Sequence, residues 1–292
     1  MNNEELKKGI GRKIENIIDE RDIKENTSTS FDSRKIYQVS KYTCEPTGQL
    51  LRPRILIGVA KAYKVNYDLA LTCGAIVEIV HADTLALDDI MDKATKRRKK
   101  LATYKKFGLD RTLLSCFNLN PQIINAIDSL PLKHDVIREI RYEINNTQII
   151  LSRGQEYDTA QTSKAKTLDD FAKIFEYKTG SLIGASAVIG GIIGLASEKD
   201  KKHLRNYGVN LGISYQFFDD WKDKYCNEKE VGKSVGLDAR KKTPFDKAKP
   251  EKVLEESLRY RQIAYKELGK IKGKTFDDLI KLSVYMFSLS KK

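Results

Sequence analysis

Residues 68–92 read DLALTCGAIVEIVHADTLALDDIMD. Leu69, Cys73, Ile76, Val77 and Val80 recur at three- and four-residue steps, the period of one helix face. Asp68 stands where an N-cap belongs, so the stretch predicts a helix running to about Asp92. The same period returns in Ile10-Ile14-Ile17-Ile18, in Leu56-Val59-Ala60-Tyr63 and in Ile137-Ile140-Ile144. Thr167, followed by Asp169 and Asp170, predicts another helix start, and Pro53 fits the first turn of a helix beginning near Leu50. Period-two alternation is sparse. Polar loops are expected near residues 24–33, 93–103, 159–167 and 224–250. With no repeat and no break in composition, the expectation is an all-α fold with one domain over residues 1–292.

The chain has 292 residues, 40% of them hydrophobic and 32% charged, a profile that excludes a disordered or collagen-like chain. Cys44, Cys73, Cys116 and Cys226 form no CxxC pair, which argues against a zinc ribbon, a thioredoxin-type site or a secreted disulfide framework. The net charge of +13 attracts anions: nucleic acid, an acidic membrane face or a phosphorylated small molecule. Its plain alternative is a solvated lysine-rich surface. The N-terminal segment is amphipathic and lacks the apolar core of a secretory signal, so a cytoplasmic protein is expected. Residues 179–197 carry no charge and approach the length of a membrane span, but Gly180, Gly184, Gly190, Gly191 and Gly194 favour a buried core helix that others approach closely.

Two clusters of one form carry the chemistry: Asp88-Asp89-Ile90-Met91-Asp92 and Asp219-Asp220-Trp221-Lys222-Asp223. In each, the outer aspartates are four residues apart, on one helix face and about 6 Å apart along the axis. Like charges at that spacing repel, aspartate is a poor helix former, and negative charge at a helix C-terminus opposes the dipole. A bound cation offsets all three. Magnesium fits best, because it takes oxygen ligands and combines one or two carboxylates with waters and substrate phosphates. Arg97, Arg98, Lys233, Lys241 and Lys242 follow the clusters, Arg52 follows Gly48-Gln49 and Lys178 opens the uncharged stretch, and with the metal-binding carboxylates they make a diphosphate-binding set. A solvated acidic helix end, and a surface lysine, are the simpler readings of any one of these residues taken singly.

With these motifs in place, the chain resembles the trans-isoprenyl diphosphate synthases of the farnesyl and geranylgeranyl type. Gln49–Pro53, Glu78–Asp92 with Arg97-Arg98, Lys178–Gly180, Gln216–Asp223 and Gly232–Asp238 resemble that family's motifs, in the family's order, across residues 48–244. The resemblance implies a helical bundle around a central cavity, a homodimer, and magnesium-dependent elongation of an allylic diphosphate by isopentenyl diphosphate. It implies that Asp88, Asp92, Asp219 and Asp223 hold two or three Mg²⁺ ions, with Asp89 and Asp220 completing the clusters. It places Arg97, Lys178 and Lys233 on the allylic diphosphate, and Gln49, Arg52, His81 and Arg98 on isopentenyl diphosphate. Thr179, Gln216 and Lys241 would help close the site. Small-molecule diphosphates are the implied partners, with no nucleic acid and no stable membrane insertion. His81 has a competing reading as a satisfied, half-buried histidine.

The chain departs from the family pattern at Thr47-Gly48-Gln49, where Gln49 brings no charge, at Lys99-Lys100-Leu101, at residues 113–121 and near residues 238–241. Those departures keep a non-catalytic or regulatory subunit of a heteromeric synthase as the alternative. Asp83 and Thr84, five and four residues before Asp88, are not bulky plugs, so geranylgeranyl diphosphate or a longer product is expected over a shorter one. Asp83 itself is unexplained at this stage, since a carboxylate facing an apolar pocket is costly.

Overall fold

Asn66, rather than Asp68, starts the long helix. Its Oδ1 accepts hydrogen bonds from the backbone N–H of Asp68 at 2.9 Å and of Leu69 at 3.3 Å. The helix therefore begins at Tyr67, and both cap and helix start lie two residues earlier than the sequence-based expectation. It ends at Met91. Lys93 takes a positive φ of 55°, and the N–H groups of Lys93 and Ala94 reach back to the carbonyls of Ile90 and Asp89 at 3.2 and 2.9 Å. That pattern of bonds closes a helix C-terminus sharply.

The computed structural model describes residues 3–18, 34–97, 100–161, 164–225 and 243–287. In chain order the α-helices are α1 (Asn3–Ile17), α2 (Arg34–Cys44), α3 (Leu51–Ala62), α4 (Tyr67–Met91), α5 (Thr103–Phe107), α6 (Leu109–Asp128), α7 (His134–Glu156), α8 (Leu168–Phe175), α9 (Ser181–Ile193), α10 (Glu198–Tyr225), α11 (Pro250–Gly269) and α12 (Asp277–Met286). A two-residue hairpin, β1 (Lys96–Arg97) and β2 (Lys100–Leu101), interrupts the helices. The fold is all-α, as the periodicity predicts.

The chain divides into two compact units, Met1–Pro53 with Leu71–Ile137, and Arg54–Ala70 with Arg138–Lys292. In the first, α1 buries Leu6, Ile10 and Ile14 along one face. Ser40 of α2 and Ser115 of α6 share a buried hydrogen bond of 2.8 Å. Thr43 and Thr103 join α2 to the start of α5 at 3.3 Å.

In the second unit, α9 is buried at every residue, as expected of the uncharged stretch, and at thirteen residues it is a core helix. Among the described residues one helix, α4, is long and apolar enough to cross a membrane, and 72% of its most apolar window is buried in the protein. Thr167 caps α8 as predicted: its hydroxyl accepts from the Asp170 N–H at 3.2 Å, and the Asp170 carboxylate accepts from the Thr167 N–H at 2.9 Å. Two single π-helical turns, Tyr157–Gln161 and Glu176–Gly180, follow α7 and α8. The first occupies part of the 159–167 stretch expected as loop.

Glycines let main chains touch around the second π-turn. A Cβ on Gly212 of α10 would lie 2.6 Å from the Gly180 Cα, and one on Gly208 2.6 Å from the Gly184 Cα. On the other side, a Cβ on Gly154 of α7 would lie 2.7 Å from the Lys178 nitrogen. No side chain fits in either contact. Lys178 and Thr179 are thus held between the backbones of α7 and α10.

Candidate active site

The first aspartate cluster lies at the C-terminal end of α4. Asp88 is half-buried, Asp92 is exposed, and Asp89 is buried. The sharp helix end at Lys93 and the β1–β2 hairpin bring the chain back, so that Arg97 donates from Nε and Nη2 to Asp89 Oδ1 at 2.9 and 2.5 Å. Burial works against the Arg97 charge, but the bonds to Asp89 and the charges of Asp88 and Asp92 hold its pKa above the ordinary value. Asp89 thus anchors Arg97, and Asp88 and Asp92 stand one helical turn apart.

Upstream in the same unit, Arg52 Nη1 lies 3.0 Å from His81 Nε2. A guanidinium only donates, so Nε2 is the acceptor and the imidazole is neutral with its proton on Nδ1. His81 is buried, and both readings of it share this geometry: it is satisfied by Arg52, and it orients Arg52. Gln49 is exposed, and the next residue, Leu50, is buried with a φ of 52°. A left-handed leucine is strained, and here it turns the chain into α3.

Asp83 now has an account. Its side chain meets the Cys116 thiol and the Asn120 amide of α6, which hydrogen-bond it. Burial raises the carboxyl, those two bonds offset part of the rise, and the net result is a pKa of about 6. The same burial raises the thiols of Cys44 and Cys116 and keeps them unreactive.

A cleft of about 540 Å³, its open mouth included, runs along the Asp89 face of α4. Glu78, Ala82, Asp89 and Arg97 line it, together with Cys44 and Thr47.

The second unit holds the other cluster. Thr179 Oγ1 donates to Gln216 Oε1 at 3.1 Å, and Gln216 Nε2 donates to Asp220 Oδ1 at 2.8 Å. Asp220 is thus bonded to a side chain of its own unit, as Asp89 is in the first cluster. Asp219 is half-buried, 3.9 Å from Lys222. Asp223 falls in the last turn of α10. Lys178 Nζ is 2.6 Å from Asp158 Oδ2, so the two π-turns are joined through their charged residues. Sequence reasoning missed Asp158. The available signal was Gly154, a lone glycine one turn before it in a polar helix, which admits the backbone of Lys178. Arg98, Lys233 and Lys241 lie outside the described residues.

Among the described residues no group of three or more His, Cys, Asp or Glu side chains is arranged as a metal site. The donor chemistry nonetheless fits magnesium: Asp88, Asp92 and Asp219 offer hard carboxylate oxygens, and such an ion needs only one or two carboxylates beside waters and phosphate oxygens.

The polyprenyl synthetase family matches residues 33–244. The chain belongs to this family. A geranylgeranyl diphosphate synthase of Methanosarcina mazei is 31% identical over 208 residues, which cover 70% of the chain and 63% of that relative. The chain thus aligns with somewhat less than two thirds of this relative's length. The solved geranylgeranyl pyrophosphate synthetase of Geoglobus acetivorans superposes with a TM-score of 0.80 at 23% identity, covering 98% of this chain and 99% of its own. A geranyltransferase of Helicobacter pylori, solved with magnesium and isoprenyl diphosphate, superposes with a TM-score of 0.78 at 20% identity, covering 97% of each chain. The polyprenyl synthetase match takes in both aspartate clusters and the 178–180 turn, where the geometry described above is concentrated.

Proposed function

We propose that the chain is a prenyltransferase that condenses isopentenyl diphosphate with an allylic diphosphate, with geranylgeranyl diphosphate as product. The carbon–oxygen bond of the allylic diphosphate breaks and diphosphate leaves with the electron pair. The double bond of isopentenyl diphosphate then forms the new carbon–carbon bond, and a proton is released as the double bond is restored. The observation that carries this reading is that in each cluster one aspartate is bonded to a neighbour that this reading also places in the site, Asp89 to Arg97 and Asp220 to Gln216.

Two or three magnesium ions, held by Asp88, Asp92, Asp219 and Asp223, would neutralise the charge that builds on the leaving diphosphate. Arg97, Lys178 and Lys233 bind that diphosphate. Asp89 and Asp158 hold the first two of these cations in place. Gln49, Arg52, His81 and Arg98 receive isopentenyl diphosphate, with neutral His81 fixing the Arg52 fork. Thr179, Gln216 and Lys241 close the site over the substrates and exclude water, which would quench an allylic cation.

Chromatography of labelled products from five-, ten- and fifteen-carbon primers tests the reading. Purified protein should extend a primer to the geranylgeranyl length, and Asp88→Ala should lower turnover by on the order of a hundredfold or more. No incorporation by the wild-type chain alone, restored by a second chain, would favour the subunit alternative, for which the uncharged Gln49 speaks.

The single-domain reading is kept as part of the proposal: α3, α4 and α7 each contribute residues to both compact units. So are a cytoplasmic location and a homodimer. For the dimer, α6 offers an exposed stripe of Leu109, Leu113 and Phe117, with exposures of 47, 44 and 79%, at four-residue steps.

A further inference from the structure

The surplus of positive charge is not spread evenly. Residues 92–111 hold nine lysines and arginines against Asp92 and Asp110. Among the described residues of that stretch, Lys93, Lys96, Lys105, Lys106 and Arg111 are exposed, and Arg97 is turned inward to Asp89. Leu101 stands directly across the hairpin from Lys96 and is 49% exposed.

This surface is built rather than loose. The Tyr42 hydroxyl of α2 donates to the Leu101 carbonyl at 2.9 Å, fixing the hairpin. Tyr42 and Phe107 meet edge to face at 5.2 Å. The Lys106 ammonium lies 3.9 Å from the Tyr42 ring centre and 5.1 Å from that of Phe107, and Lys105 lies 5.0 Å from Tyr104. Lys100 pairs with Glu45, which removes one charge of each sign from the account. Lysines over aromatic rings, around a projecting leucine, form the composition that settles at a lipid–water boundary. The rings are covered by ammonium groups, so they offer no stacking platform for nucleic-acid bases. The exposed leucine likewise has no use against a phosphodiester backbone.

We infer that strands β1 and β2 and α5 dock this protein on an anionic lipid bilayer, through Lys96, Lys105 and Lys106 with Leu101 entering the headgroup layer. Attachment is peripheral, since β1, β2 and α5 are far too short to span a bilayer. The surface begins one residue after Asp92, so docking would bring the first aspartate cluster to the lipid boundary, where a long-chain prenyl product would partition. The inference goes beyond the proposed reaction, and its test uses no substrate, so either can fail alone.

Co-sedimentation of the full chain with vesicles decides it. Vesicles of phosphatidylcholine with a third phosphatidylglycerol should bind the protein at low salt and release it at high salt, and pure phosphatidylcholine should not bind it. Charge reversal in K96E/K105E/K106E should weaken binding by about a hundredfold or more, at roughly a fivefold loss per lysine removed, with the helical circular dichroism spectrum unchanged. Leu101→Ser should weaken it severalfold. Should the triple variant not fold, acetylation footprinting of the wild-type chain replaces it: anionic vesicles should slow modification of Lys96, Lys105 and Lys106. Equal binding to neutral vesicles, equal labelling with and without vesicles, binding unmoved by the charge reversal, or preference for single-stranded RNA over the vesicles would each overturn the inference.

Discussion

Five residues before Asp88, the Asp83 carboxyl is only 5% exposed, and its partners are a thiol and an amide, neither of them charged. Its folded pKa, near 6, lies above the unfolded aspartate value, so the folded state binds the proton more tightly. Stability is therefore undiminished below about pH 4 and falls as pH rises through the window to about 6. Asp83→Asn removes the penalty while keeping hydrogen-bonding groups. It should stabilise the protein by roughly 2–3 kcal/mol at pH 7.5 and by nothing near pH 4, as read from urea melts at the two pH values. A second prediction concerns Asp158. Asp158→Asn leaves Lys178 without its charged partner, and kcat/KM for the allylic substrate should fall by on the order of 10- to 100-fold with little change in the urea midpoint. Neither partnership was legible in the sequence. The oddity of Asp83 was visible at once, but the thiol and amide that resolve it belong to another helix, and Gly154 signals a close backbone approach without identifying Lys178 as what approaches.

Helices were the most legible elements, because an amphipathic period survives without knowledge of the partner. The Thr167 cap was legible for the same reason, its chemistry being local. The π-turns at Tyr157–Gln161 and Glu176–Gly180 were not, since one extra residue per turn leaves no mark in composition. The β1–β2 hairpin, made of two-residue strands rich in lysine, gave no strand signal either. The glycines of residues 179–197 did signal close helix approach, and the backbone contacts of Gly180 and Gly184 with Gly212 and Gly208 are that approach. Gly212→Ala must push α10 off the turn that carries Lys178 and Thr179. It should cost about 1–3 kcal/mol in a thermal or urea melt and lower turnover as well. Gly269→Ala, at the end of α11 with nothing within 4 Å of the added carbon, is the control and should be neutral or slightly stabilising.

On the scale of the molecule, charge and order along the chain carried the functional reading. Two acidic clusters, a basic residue set and their succession across residues 48–244 sufficed for the family, because diphosphate chemistry demands those residue types whatever the packing. The location of the positive excess was present in the sequence too, but its meaning required the hairpin that presents Lys96 beside Leu101. The exposed α6 stripe gives a prediction at this scale: Phe117→Asp should shift the protein from dimer to monomer in sedimentation velocity, without loss of helicity. The glycine contacts of α10 carry a further implication. Most joints in a protein can drift, because a larger residue on one side is answered by a smaller one opposite. Where main chain rests on main chain there is nothing to exchange. Variation in what this molecule makes should then accumulate elsewhere, among replaceable neighbours such as Asp83, Cys116 and Asn120, while the seat of Asp219 and Asp220 stays fixed.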